Sequence, residues 1–117
     1  GDGYGDDYGS GDKEKYLAAI CSTVKRPNAV VAFWRSNADG TPANGGSRTK
    51  ARTGLMEEIP GPLAICTKNA LHATTDPSRW KGVRWWLVAL KEPVQRQEDK
   101  IGSLHREILV DLGKCPF

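Results

Sequence analysis

Apolar positions along the chain fall into short runs separated by turn chemistry. Tyr16, Leu17, Ile20, Cys21 and Val24 recur at helical spacing, with Asp12 to cap and Pro27 to stop, which predicts an amphipathic helix over 13–25. The β-branched and aromatic run AVVAFWR at 29–35 predicts a strand. SNADGTPANGGSR at 36–48 joins Asp-Gly, Asn-Gly-Gly and Pro, which predicts a loop too long for a tight hairpin. Residues 49–58 follow neither period, and IPGP at 59–62 predicts a stiff bend. Short strands are expected at LAICT (63–67) and ALHAT (70–74). Asp76-Pro77 places a capping carboxylate before a proline and predicts one helical turn through Trp80.

RWWLVALK at 84–91 is the strongest strand. Trp85, Leu87 and Ala89 face one way and Trp86, Val88 and Leu90 the other, so both faces are apolar, as in a central strand covered on two sides. EPVQRQEDK at 92–100 is a polar connector. Beyond it, Leu104, Ile108, Val110 and Leu112 share one face, interrupted by Arg106, which favours a final strand over a short helix at 100–106. The expected class is therefore α+β: a mainly antiparallel sheet with an N-terminal helix and one or two short helical turns.

Composition changes this picture at the N-terminus. Five of the 13 glycines lie in the first dozen residues, where GDGYGDDYGSGD has nothing to offset ordering entropy. Residues 1–12 are expected to be a tether and 13–117 a single domain, with the tether as the route to a protein partner or to self-association. Asp and Gly there lack the spacing of an EF-hand or a calcium-binding repeat. The chain starts at Gly1 with Met56 as its only methionine, which suggests a piece of a longer or processed protein.

Charge is uneven. Residues 1–15 hold five acidic and two basic side chains, a balance of −3, which leaves +6 on the rest. Arg48, Lys50 and Arg52 form one basic cluster, and Arg79, Lys81 and Arg84 another. Together they are compatible with nucleic acid or another anionic partner, or with a merely solvated surface. Three widely spaced cysteines without a Cys-x-x-Cys, and two histidines 33 positions apart, argue against a metal centre and suggest a reducing, cytoplasmic setting, with one disulfide left open. No apolar run reaches the roughly 18 residues of a membrane span, so no membrane partner is expected. Nor is any cofactor.

Candidate chemistry centres on LHATTDP. His72, with Thr74, Thr75 and Asp76 at the mouth of a turn, could orient a ligand or move a proton; the plainer reading is a structural histidine with hydroxyls capping the turn. Arg35 ends a strand beside the glycine-rich loop, where Asn44-Gly45-Gly46 could bring N–H groups to an anion. Adjacent Glu57 and Glu58 cannot share a face and so cannot act as a carboxylate pair. Cys66, six residues before His72, is read as a buried thiol. Trp80, Trp85 and Trp86 interleave with Arg79, Lys81 and Arg84 as in nucleic-acid sites, although two of these indoles belong to the core-like strand.

The run GPLAICTKNALHATTDPSRWKGVRWWLVALKEPV, followed by DKIGSLHREIL, resembles an uncharacterised family of small domains common in phage and prophage proteins. The matching positions are Cys66, Leu71, His72, Trp80, the strand at 84–90 and Lys100, within residues 29–112. Ala73 and Thr74 stand where a second cysteine is common. That family implies no set activity, so the resemblance points to a viral-type module whose exposed 36–48 loop and His72 rim contact a partner, without catalysis. A fainter likeness, to ADP-ribosyltransferase-type folds, implies a small nucleotide-using enzyme. It would place Arg35 and His72-Ala73-Thr74 in a pocket with Glu92 or Glu107 as the carboxylate.

Overall fold

The structure is a computed structural model that describes residues 10–43 and 49–117. Among the described residues it holds α1 (Ser10–Cys21), β1 (Ala29–Ser36), β2 (Met56–Glu58), β3 (Leu71–Thr74), a 3₁₀ turn (Pro77–Arg79), β4 (Arg84–Lys91), β5 (Gln95–Gln97), β6 (Lys100–Ser103) and β7 (His105–Lys114). The strands form one antiparallel sheet in the order β2-β7-β4-β1-β3-β6-β5. Seven strands against one helix make the molecule sheet-dominated, so the expected α+β class fits only loosely.

β4 lies between β1 and β7, and Trp85 through Leu90 are all buried. Its pleat sends Trp85, Leu87 and Ala89 to one face, where Leu17, Ile20, Cys21 and Val24 of the helical segment pack with Phe33, Leu109 and Phe117. Trp85 is the hub there, stacked on Phe33 at 5.4 Å and edge-on to Phe117 at 5.7 Å. Trp86, Val88 and Leu90 go to the other face, with Ala32, Trp34, Ala73, Ile101 and Ile108.

Several expectations shift in detail. The helix starts at Ser10, so Asp12 sits in the first turn rather than at the cap. It ends at Cys21, where the Ser22 and Thr23 hydroxyls fold back on the carbonyls of Ala19 and Ile20. LAICT is not a strand: Ala64 N–H bonds the Asn69 carbonyl, Thr67 Oγ1 donates to Ala64, and Cys66 takes a left-handed φ of 65°. The polar connector contains β5, hairpinned onto β6. The last strand does form, but two register shifts against β4 break its single face. Ile108 stays with Trp86 and Val88, while Leu109, Val110 and Leu112 turn towards the helix side.

The sheet is strongly curled. β7 and β3 are separated by β4 and β1 in strand order, yet Arg106 Nη1 donates 2.8 Å to the His72 carbonyl. At the corner after β6, Ser103 Oγ donates 2.5 Å to the Lys91 carbonyl and accepts from His105 N–H. The concavity that results faces away from α1.

Candidate functional site

A cavity of about 1050 Å³ opens on the concave side. Strands supply Trp34, Glu57, Leu71, His72, Lys100 and Arg106; the 59–70 connection supplies Ile59, Cys66, Thr67, Lys68 and Ala70; Arg79, Trp80, Lys81 and Pro42 complete it.

Its buried side is built around Arg106, the residue that interrupts the apolar face of β7. The guanidinium lies 4.6 Å from the Trp34 ring centroid. Its Nε and Nη2 both donate to Glu57 Oε1, at 3.0 and 2.7 Å. Burial pulls this cation below its ordinary pKa, while the Glu57 charge and hydrogen bonds pull the other way. Register places Glu57 opposite Arg106, and the neighbouring Glu58 pairs outward with His105 at 3.8 Å. The two glutamates thus diverge, as their adjacency required.

His72 contributes a neutral ring. Its Nε2 accepts the Cys66 backbone N–H at 2.9 Å, which puts the ring proton on Nδ1. Burial, then Arg106 and Lys100, lower its pKa. The Cys66–His72 contact therefore runs through the backbone and makes no thiol–imidazole pair. Cys66 is exposed rather than buried, and its thiol lies 3.4 Å from Gln97 Oε1. Cys21, Cys66 and Cys115 are all free thiols.

Trp80 lines the cavity and is held by Asp99. The nearly buried Asp99 carboxylate accepts from Thr74 Oγ1 at 2.6 Å and Trp80 Nε1 at 3.1 Å, and pairs with Arg79 at 3.2 Å. Thr74 is fully buried and also accepts the Asp76 N–H, so it is structural. Asp76 caps the 3₁₀ turn through Ser78. Lys13 reaches Asp76 and Ser78 at 3.3 and 3.0 Å, which ties α1 to that turn.

Arg35 does not line the cavity. It is buried, and its guanidinium donates to the carbonyls of Pro77 (2.9 Å), Trp80 (2.6 Å) and Gly82. Three backbone acceptors from one tight segment require a planar, multi-donor cation. Arg35 is thus a clamp that positions Arg79, Trp80 and Lys81. Gly82, at φ +135°, permits the approach, since a Cβ there would lie 2.7 Å from the Ser36 carbonyl oxygen.

The basic clusters separate. Arg79 and Lys81 line the cavity, while Arg84 binds Asp111 at 2.7 Å. Lys50 lies by the Asp39–Gly40 turn, and neither it nor the exposed Arg52 is among the lining residues. Asn44 and Arg48 lie outside the described residues. Glu107 pairs with Arg26, and Glu92 sits by Asn28, so neither joins His72. Of the candidate contact residues singled out from the sequence, His72, Arg79, Trp80 and Lys81 line the cavity. Sequence reasoning passed over Trp34, Asp99 and the Glu57–Arg106 pair, although an arginine inside an apolar alternation was the available signal.

Among the described residues, five cations and one carboxylate line the cavity, and counting Asp99 the balance is +3. Among the described residues, no three His, Cys, Asp or Glu side chains are placed to hold a metal, and no helix is long and apolar enough to cross a membrane. No protein-family model matches the chain, and neither curated proteins nor solved structures yield a match.

Proposed function

We propose that the chain is a non-catalytic binding module, of the type its sequence resembles in phage and prophage proteins, and that the concave cleft takes an anionic ligand. The phage association rests on the sequence resemblance. The binding role rests on one observation: Lys68, Arg79, Lys81, Lys100 and Arg106 surround a cavity whose only lining carboxylate among the described residues already accepts from Arg106. Low-dielectric walls around like charges concentrate potential and draw anions.

The same contacts speak against His72 and Asp99 as proton-transfer groups. The His72 lone pair is occupied by a backbone N–H, and Asp99 accepts from Thr74 and Trp80 and pairs with Arg79. A general base needs a free lone pair within reach of the proton it removes. Titration calorimetry with inorganic tripolyphosphate tests the assignment. One-to-one binding that weakens several-fold between 50 and 300 mM salt supports it; no binding at millimolar tripolyphosphate in low salt refutes it.

A further inference from the structure

We infer that the anion is a free mononucleotide, with its phosphates at the exposed cations of the rim and the edge of its base against two uncharged N–H donors on the cleft wall. This rests on the anionic-ligand assignment above. The first donor is Trp34. Three of the four indoles are spoken for: Trp80 donates to Asp99, Trp85 to the Leu112 carbonyl and Trp86 to Ser36 Oγ. Trp34 is only 7% exposed and lines the cleft, yet its N–H has no protein acceptor among the described residues. It is not sealed away either, since Arg84 Nε alone is both buried and unpaired there. The N–H is therefore open to solvent on a residue that lines the cleft. The second donor is the His72 Nδ1–H, required by the bond at Nε2 and likewise without a protein acceptor among the described residues.

Chemistry divides the cleft in two. Lys68, Arg79 and Lys100 are exposed and suit phosphate oxygens. The interior offers no uncompensated cation, because Arg106 is matched by Glu57. What remains there is neutral donors beside Trp80, Ile59 and Leu71, an environment for a flat ring with acceptor atoms on its edge. A bare phosphate chain would satisfy the rim and leave both donors and the apolar wall to water. A cavity of about 1050 Å³ has room for base, sugar and phosphates together. A continuous strand is disfavoured because the cations ring one cleft: Arg84 is spent on Asp111, and Lys50 and Arg52 lie outside it.

The test compares ATP, inorganic tripolyphosphate and a ten-residue deoxyadenosine oligonucleotide on the unmodified protein, then on Trp34→Phe. ATP is expected to bind at least 10-fold more tightly than tripolyphosphate. Trp34→Phe should erase most of that ratio. Equal affinities overturn the mononucleotide and leave the anionic cleft standing; absence of binding by all three overturns both. An oligonucleotide bound 10-fold more tightly than ATP replaces the free nucleotide with a strand. The ratio on the unmodified protein decides the matter even if the variant fails to fold.

Discussion

Arg106 lies against Trp34, with its charge centre 4.6 Å from the ring centroid and two of its nitrogens on one oxygen of Glu57. This contact sets the cleft's character. A cation placed on the concave face would dominate the interior if it were alone; neutralised by Glu57, it leaves the surplus positive charge to the rim.

Removing Glu57 should expose that arrangement. Glu57→Ala strands a buried guanidinium and should cost on the order of 3–5 kcal/mol in chemical denaturation. Glu57→Gln keeps an acceptor for Arg106 and should cost less. Because it also removes the one carboxylate that lines the cleft among the described residues, it should bind tripolyphosphate more tightly than the parent. Weaker anion binding by a folded Glu57→Gln protein would count against the charge account.

Arg35 and Gly82 form a second unit. Arg35→Ala leaves the Pro77, Trp80 and Gly82 carbonyls without their donor and should destabilise by about 2–3 kcal/mol. Gly82→Ala forces a methyl onto the Ser36 carbonyl at an unfavourable φ and should cost about 1–3 kcal/mol. Urea midpoints measure both. An Arg35 variant of parental stability that lost ligand affinity would make Arg35 a contact residue instead of a clamp.

Much of the scaffold was legible in the sequence. The double-sided alternation of Trp85–Leu90 and the Asp76-Pro77 signal report local physics, and both elements form as expected. The partners of Arg35 and Arg106 were not legible, because strand periodicity gives the face of a side chain but not the loop or strand that curls over it. The same limit hid Asp99, which sits in a polar connector and becomes a buried acceptor only when β6 brings it against Thr74 and Trp80. LAICT failed for a different reason: its composition suits a strand, but the hydrogen bonds from Ala64 and Thr67 close it into a turn.

The His72 environment predicts a pH response. Its folded pKa is depressed by burial, Arg106 and Lys100, so below the unfolded value of about 6.5 the unfolded chain gains a proton that the native state resists. Stability should be full above that pH and decline as pH falls through the folded pKa. Thermal melts from pH 8 to pH 5 on the parent and on His72→Gln isolate the effect. Parallel curves would show that His72 is not held neutral.

Lys68 and Lys100 are exposed and line the cleft, so Lys68→Glu/Lys100→Glu should change stability by roughly 0.5 kcal/mol or less per site. Affinity for tripolyphosphate should fall by more than about 10-fold, with a flatter salt dependence. Lys50→Glu/Arg52→Glu, outside the cleft, serves as the matched control. Equal losses in both double variants would mean that binding follows overall charge and not the cleft.

The most direct measurement is the ¹⁵N–¹H spectrum of the four indole groups during titration with ATP. A cleft-bound anion should move the Trp34 and Trp80 resonances and leave Trp85, packed under α1 on the opposite face, in place. Movement of Trp85 with Trp34 and Trp80 unmoved would put the ligand on the wrong side of the sheet and contradict the account.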